Sequence, residues 1–398
     1  MGTTTVGAIQ PKAAVADVKA KSATRLLFID NIRVFLTILV ILQHLMVTYA
    51  ATGSWFYQEG RQDFITVALG QWFCAVNQAF FMGFFFLIAA YFVPGSYDRK
   101  GPGRFAKDRL IRLGIPLIIF SWVVEPLMNY MLQVWQNGPR PFTMGDLVGH
   151  FFGGTIIGGG PLWFVEALLI FSFVYVLWRL ATRNRPAKPV AESSFPSNGA
   201  VLLLAVVMTA ATFLARLVFR VDDYNFVPLN LQLPFFAQYI ILFIVGLVAY
   251  RRNWLLGLPD KTGRLWLGIA IFLILIWLPL VLVGGGVDDA STFKGGWYWQ
   301  SVVYPFWESI FSLSMIIGLT YAFRRYLNTR GKVAGFLAPN AYTAYIIHAP
   351  IIVIISLSIR DAGLHPLLKF ALVALVSVPL IFWVSSLIRK LPYADRVL

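Results

Sequence analysis

Long apolar runs, separated by short polar and basic segments, recur along the whole chain. Each run is about 20 residues long, which is the length a helix needs to cross the hydrocarbon core of a bilayer. The pattern predicts an all-α polytopic membrane protein of about ten transmembrane helices. The predicted spans are, approximately, 32–51, 70–93, 111–132, 162–180, 200–219, 233–250, 265–283, 301–323, 341–358 and 367–388.

One further segment, residues 145–157, is amphipathic and rich in glycine. It is too short to be predicted as a span. We expect it to lie at the membrane interface or to re-enter the membrane.

The first apolar run carries a stripe of polar side chains, formed by Asp30, Arg33, Thr37, His44 and Thr48. Arg33 and His44 are eleven residues apart, close to three helical turns, so they share a face and lie roughly 16 Å apart along the axis. An ionisable group inside a membrane is costly and usually marks a functional cavity. The alternative is that Asp30 and Arg33 anchor the helix at the interface while His44 is a hydrogen-bonded core residue.

Composition and charge support a membrane protein. Of the 398 residues, 58% are hydrophobic and only 13% are charged, and the mean hydropathy is +0.71, too apolar for a soluble protein of this size. The net charge of +15 comes from basic clusters between the apolar runs, so we expect membrane lipids and no nucleic acid as partners. The single cysteine, Cys74, excludes an intrachain disulfide and a cysteine-rich metal site, and we expect no metal.

The basic clusters also predict an orientation, because cytoplasmic loops are enriched in Lys and Arg. With both termini in the cytoplasm, most loop cations fall inside. The expected organisation is a disordered cytoplasmic tail over 1–24, a transmembrane domain over 25–390 and a short cytoplasmic tail over 391–398. The predicted inner loops contain Arg99, Lys100, Arg104, Lys107, Arg183, Arg185, Lys188, Arg251, Arg252, Lys261, Arg324, Arg325, Arg330 and Lys332.

Arg109 and Arg112 follow the second predicted span and share a helical face at spacing i, i+3. Two planar, permanently charged guanidinium groups suit a phosphate ligand. The alternative is an ordinary basic inner loop that attracts anionic lipid headgroups.

These motifs together resemble the membrane-bound acyltransferase 3 family. The main signals are an Arg and a His separated by ten residues behind Asp-x-x-Arg, and an Arg-x-x-Arg after a Phe-rich span. Ala89-Ala90-Tyr91 departs from the family, which often has Ser-Gly-Tyr there. The matching positions are Arg33 and His44, Phe84 to Leu87, Arg109 and Arg112, Pro116, Pro161 to Phe164, and Tyr345 with His348.

The resemblance implies an O-acyltransferase in a bacterial cytoplasmic membrane. It implies transfer of an acetyl or succinyl group from a cytosolic acyl-CoA co-substrate to a hydroxyl of a carbohydrate or lipid-linked acceptor, with no tightly bound cofactor. The acetyl-CoA or succinyl-CoA donor would bind at Arg109 and Arg112, with Arg104 and Lys107 nearby.

His44 is the expected base, because neutral imidazole predominates at pH 7 and can accept the hydroxyl proton. Glu125 or Glu166 is expected to fix its tautomer, and Arg33 to stabilise charge on the thioester oxygen. A covalent acyl-histidine is also possible. Asn77, Glu125, Glu166 and Glu308 are expected at a depth similar to that of His44, which suggests a polar cavity open outward.

Two alternatives remain open at this level. A transporter could use His44 and the buried acids as a proton relay, or an acyltransferase of another fold could pair His44 with Asn77. The basic donor motif and the absence of an evident internal repeat favour the enzyme.

Overall fold

The computed structural model describes residues 26–50, 53–59, 63–152, 159–183, 193–222, 226, 229–286 and 289–398, and this part of the chain is helical without a β-strand. The predicted disordered tail over 1–24 lies outside the described residues. The helices are α1 (Leu27–Ala50), α2 (Phe64–Gln78), α3 (Phe81–Arg109), α4 (Ile115–Ile119), α5 (Glu125–Asn137), α6 (Met144–Phe152), α7 (Trp163–Ala181), α8 (Asn198–Val218), α9 (Phe236–Arg252), α10 (Trp254–Gly257), α11 (Asp260–Val283), α12 (Gln300–Tyr326), α13 (Lys332–Ser358), α14 (Pro366–Ile388) and α15 (Ala394–Val397).

Nine helical segments in the described ranges are long and apolar enough to cross a membrane, which confirms the prediction of an all-α polytopic membrane protein. One of them, Phe64–Asn137, is 74 residues long and contains both the second and the third predicted span. A straight helix of this length would measure about 110 Å, several times the thickness of a bilayer. The segment is therefore divided by breaks.

The first break lies at Ala79 and Phe80, inside the second predicted span, which is thus not one continuous helix. The side-chain amide of Gln238 donates to the carbonyl of Ala79 at 2.7 Å, and Gln78 donates to the hydroxyl of Tyr239 at 3.0 Å. Backbone groups that leave a helix in apolar surroundings need such partners. Helix α9 therefore stabilises the break between α2 and α3.

The second break lies at Gly101, where φ is 73° and only glycine is unstrained. Helical structure resumes at Pro102, whose missing N–H costs little in the first turn of a helix. The sequence predicted a loop between the second and third spans, and this was wrong, because helical structure continues to Arg109.

Two π-helical turns, Leu110–Gly114 and Phe120–Val124, follow α3 and flank α4. Each ends shortly before a proline, Pro116 or Pro126. Proline has no N–H to donate to the carbonyl four residues earlier, so the regular ladder of hydrogen bonds is interrupted there.

Helix α1 lies at the centre of the bundle and packs against α2, α3, α12, α13 and α14. The most apolar stretch of α1 is 67% buried, whereas that of α11 is 17% buried. Helix α11 is thus peripheral and α1 is enclosed by protein. The polar stripe of α1 therefore faces other helices rather than lipid.

Helix α3 packs along α9, and Gly246 sits at their closest approach, where a Cβ atom would lie 2.3 Å from the carbonyl oxygen of Leu87. At the other end of the chain, the predicted tail 391–398 includes α15, which packs against the turn Leu110–Gly114. The predicted amphipathic segment begins as α6, and its residues 153–157 lie outside the described part of the chain.

Candidate active site

Two histidines from helices far apart in the sequence meet beside α1. Nδ1 of His44 lies 3.0 Å from Nε2 of His348 on α13, and the two rings stack with 5.0 Å between their centroids. His348 is fully buried and His44 is partly exposed. His44 is therefore the member of the pair that a substrate can reach.

The hydrogen bonds assign the ring protons of this pair. Nδ1 of His348 lies 2.6 Å from the carbonyl oxygen of Tyr345, which can only accept, so this nitrogen carries a proton. Nε2 of neutral His348 is then an acceptor and receives the Nδ1 proton of His44. Nε2 of His44 is left with its lone pair available, which is the state required of a general base.

Trp55, in the segment after α1, covers one face of His44. The two rings are nearly parallel, at 20°, with 3.9 Å between their centroids. Nε1 of Trp55 is buried and has no hydrogen-bond partner among the described residues. The indole ring of Trp55 therefore shields this face of the imidazole.

A cavity of about 640 Å³ opens on the side of the bundle where α1, α3, α7 and α13 meet. Its lining is strongly cationic, because six basic side chains line it against one acidic side chain, that of Asp30, among the residues that the structure describes. The basic lining residues are Arg33, Arg99, Lys100, Arg109, Arg112 and Arg389. Another part of the lining is an aromatic wall formed by Phe85, Phe164 and Tyr345.

Arg33, Arg109 and Arg112 all line this cavity. The sequence predicted a common site for Arg109 and Arg112 but did not include Arg33 in it. Arg104 and Lys107, which were expected beside Arg109 and Arg112, are exposed and do not line the cavity. At 3.6 residues per turn they fall on the face of α3 opposite Arg109. Their predicted place in the donor site is therefore not supported.

The turn that carries Arg112 is fixed by a side chain of α13. Pro116 has no N–H to donate to the carbonyl of Arg112, and the hydroxyl of Tyr342 donates to that carbonyl instead, at 2.6 Å. Tyr342 lines the same cavity as Arg33, Arg109 and Arg112. Helix α13 thus positions the cationic cluster as well as His348.

Tyr345 separates the cavity from the histidine pair. Its ring lines the cavity with Phe85 and Phe164 and lies 5.8 Å from the ring of His348 between centroids. Its hydroxyl donates to the carbonyl of Pro161, and its own carbonyl binds His348. His44 and His348 do not line the cavity, so the cavity ends one aromatic layer short of the pair.

Arg33 lies among the basic residues of the cavity, and its guanidinium group is 3.7 Å from the carboxylate of Asp30. It is eleven residues, or about 16 Å along the helix, from His44. Arg33 is thus too far from His44 to stabilise charge on a thioester there. Its place in the cavity suits contact with a phosphate group better.

The Nδ1 partner of His44 is His348, and not Glu125 or Glu166 as predicted. One carboxylate oxygen of each glutamate is buried without a hydrogen-bond partner in the described part of the chain. Glu125 lies against the 159–160 turn, where a Cβ atom on Gly159 would be 1.4 Å from its carboxylate oxygen. Glu166 is not among the α7 residues that line the cavity, since Phe164, Val165 and Leu168 occupy that face. The predicted role of either carboxylate in fixing the His44 tautomer is therefore replaced by His348.

Glu308 was predicted to lie in a polar cavity but is instead part of a buried ion pair. It forms a buried ion pair with Arg216 on α8, at 2.9 Å, and Arg216 also donates to the carbonyl of Pro234. The guanidinium group of Arg216 lies over the rings of Phe235 and Tyr304. Arg216 was not predicted as a buried partner, although a charge inside an apolar run was a usable signal.

Asn77 donates to the side chain of Gln43 at 3.3 Å and not to His44, which removes the proposed His44–Asn77 pair. Thr37 and Thr48 donate to the carbonyls of Arg33 and His44 within α1. The polar stripe therefore includes residues whose side chains form hydrogen bonds within α1, as well as His44.

The comparison with protein families assigns this architecture to a class, the integral membrane O-acyltransferases. The chain belongs to the acyltransferase 3 family, whose model, described as an acyltransferase domain, matches residues 26–386. Neither the search of curated proteins nor that of solved structures found a match. The family resemblance of the sequence motifs is thus confirmed, and the enzyme is favoured over a transporter.

Proposed function

We propose that the protein transfers an acetyl or succinyl group from cytosolic acyl-CoA to a hydroxyl of a carbohydrate or lipid-linked acceptor, with His44 as the base. We place it in the cytoplasmic membrane of a bacterium. One observation carries the proposal: the cationic cavity ends at Tyr345, and the carbonyl of Tyr345 orients the His348–His44 pair.

The cavity suits the two ends of an acyl-CoA. The phosphates of acyl-CoA match the guanidinium groups of Arg33, Arg109 and Arg112, because guanidinium forms charge-assisted and bidentate hydrogen bonds with phosphate. The long, mostly apolar arm of acyl-CoA matches the wall of Phe85, Phe164 and Tyr345. A donor held in this way extends its thioester toward His44. The side chain of Tyr345 has to move to let the thioester pass.

The chemistry then uses the assigned tautomer. Nε2 of His44 accepts the proton of the acceptor hydroxyl as its oxygen bonds to the thioester carbon. The carbonyl electron pair moves to oxygen and then returns, the carbon–sulfur bond breaks, and the CoA thiolate takes the proton from His44. His348 keeps Nδ1 of His44 protonated throughout and holds the ring in place.

The proposed orientation follows from the basic loops, which favour the side of Arg109 and Arg112 as cytoplasmic. His44 lies about 20 Å along α1 from Asp30, past the middle of a hydrocarbon core about 30 Å thick. This depth supports an acceptor that approaches from the outer side. A reporter fused after Arg325 should therefore be cytoplasmic, and an external signal would exclude this orientation.

The central test compares the wild type with His44→Ala. Purified protein would be given radiolabelled acetyl-CoA or succinyl-CoA, with the membrane fraction of a strain lacking the gene as acceptor. His44→Ala should bind donor but transfer acyl groups about 10²–10⁴-fold more slowly. His365→Ala is the matched control, because His365 is an exposed histidine outside the site.

The same assay separates the two forms of the mechanism. Label on the purified wild-type protein after incubation with donor alone, removed by acceptor, would indicate an acyl-histidine instead of a base. Full transfer by His44→Ala would contradict both forms.

A further inference from the structure

Acyl transfer to a hydroxyl passes through a tetrahedral intermediate with a negative charge on the former thioester oxygen. Enzymes stabilise this charge with hydrogen-bond donors fixed in advance at that position. Arg33 lies about 16 Å along α1 from His44, and His348 is committed to Nδ1 of His44. The donor to this oxygen must therefore come from another residue close to His44.

Trp55 is the residue that meets this requirement. Its ring stacks on His44 with 3.9 Å between the centroids, and it lies 6.2 Å from His348 between ring centroids. Its Nε1–H is a donor only, is buried, and has no acceptor among the described residues. A buried indole N–H usually has a hydrogen-bond partner. Since the Nε1–H of Trp55 has none among the described residues, it can donate to a substrate oxygen.

The segment of Trp55 is held firmly at its far end. The backbone N–H of Glu59 donates to the carbonyl of Thr48 at 2.9 Å, and its carboxylate accepts from buried Lys369 at 3.0 Å. Within the segment, Gln58 donates to the carbonyl of Gly53 at 2.8 Å, and Phe56 packs on Trp55 at 5.1 Å between centroids. A donor on such a segment is fixed before substrate binds, which is the condition for effective stabilisation of an oxyanion.

The geometry points to Trp55 as a catalytic residue whose Nε1–H donates to the thioester oxygen of the acyl donor as that oxygen becomes negative. The inference rests on the proposed function, since it names the oxygen of the same thioester that His44 serves. As the acceptor oxygen adds to the carbonyl carbon, the electron pair moves to the oxygen bound by Trp55 and the hydroxyl proton moves to Nε2 of His44. When the carbonyl re-forms, the carbon–sulfur bond breaks, and the thiolate takes that proton.

The test is to remove the N–H and keep the ring. In Trp55→Phe the aromatic face over His44 remains, and incorporation of 3-benzothienylalanine at position 55 replaces N–H by sulfur in a ring of nearly the same shape. Loss of one oxyanion donor should lower kcat about 10²–10³-fold in both proteins. The KM for acetyl-CoA or succinyl-CoA should change little, because the contact forms in the transition state.

Trp72→Phe is the matched control, since its Nε1–H already donates to the carbonyl of Ile274 at 3.3 Å. This variant should keep wild-type kcat. Thermal unfolding of all variants shows whether position 55 acts through the fold, and an unfolding temperature that falls in step with kcat in both position-55 proteins would overturn the catalytic role.

Wild-type kcat in the benzothienyl protein would also overturn it, because stacking alone would then suffice. A rise in donor KM with unchanged kcat would assign Trp55 to binding and contradict the inference. Absence of donor-dependent acylation in the wild type would instead overturn the proposed function, and so the two failures are distinguishable.

Discussion

Nε2 of His348 lies 3.0 Å from Nδ1 of His44, although 304 residues separate them in the chain. His348 accepts the Nδ1 proton of His44 because its own Nδ1–H is bound to the carbonyl of Tyr345. In the Ser-His-Asp triad a buried carboxylate has this place and stabilises the imidazolium. A neutral imidazole orients the ring as well, but it stabilises the charged form of His44 less.

The first prediction concerns His348 as a positioning residue. His348→Leu should lower kcat by up to about 10²–10⁴-fold, the contribution expected of the base, because Nδ1–H of His44 then loses its hydrogen bond to the His348 ring. His348→Gln should keep more activity, since its amide oxygen can reach the place of Nε2. Equal losses in the two variants, measured at matched protein stability, would contradict an orienting role.

The sequence was sufficient for the class of fold and for part of this site. The apolar periodicity predicted the membrane helices, and the ten-residue interval between Arg33 and His44 identified α1 as the functional helix. The spacing of Arg109 and Arg112 predicted a pair of cations on one face, and both do line one cavity. Such signals are local, so a single sequence can show them.

The partners of these residues were not predictable, because a sequence does not show which helix faces meet. A carboxylate partner was predicted for His44, because acids within apolar runs usually mark a functional site. His348 was indicated only by the short Tyr-x-x-His motif. Nothing local in the sequence indicates that the ring of Trp55 covers His44. Glu308 was read as a cavity acid because its partner Arg216 lies 92 residues earlier.

The second prediction concerns the donor site and compares basic residues that line the cavity with neighbouring basic residues that do not. Arg109→Ala and Arg112→Ala should each weaken binding of acetyl-CoA or succinyl-CoA by about 10- to 100-fold, the effect of losing a hydrogen bond to a charged group. Arg104→Ala and Lys107→Ala should leave affinity nearly unchanged, because both residues are exposed and outside the cavity.

Isothermal titration or filter binding of the donor would measure this difference. Lysine at 109 or 112 should rescue poorly, because it lacks the planar fork, and high salt should weaken binding to the wild type. Equal weakening in all four alanine variants would indicate a general effect of charge and exclude a specific phosphate site.

The third prediction concerns the buried pair of Arg216 and Glu308. Arg216→Met alone should cost about 3–5 kcal/mol of unfolding free energy, because it leaves a buried carboxylate without its partner. Adding Glu308→Leu should recover much of this loss, since two apolar residues replace two charges. The double variant should still transfer acyl groups. Loss of transfer in a stable double variant would restore a catalytic role for Glu308.

The last prediction concerns pH. Only neutral His44 can accept the hydroxyl proton, so kcat should fall toward acidic pH, by about tenfold per pH unit once the base is mostly protonated, and should rise to a plateau as pH increases. The kcat profile, measured with saturating donor and acceptor, tests this directly. If His44→Ala kept the same acid limb on its residual activity, the titrating group would be elsewhere, and His44 would not be the base.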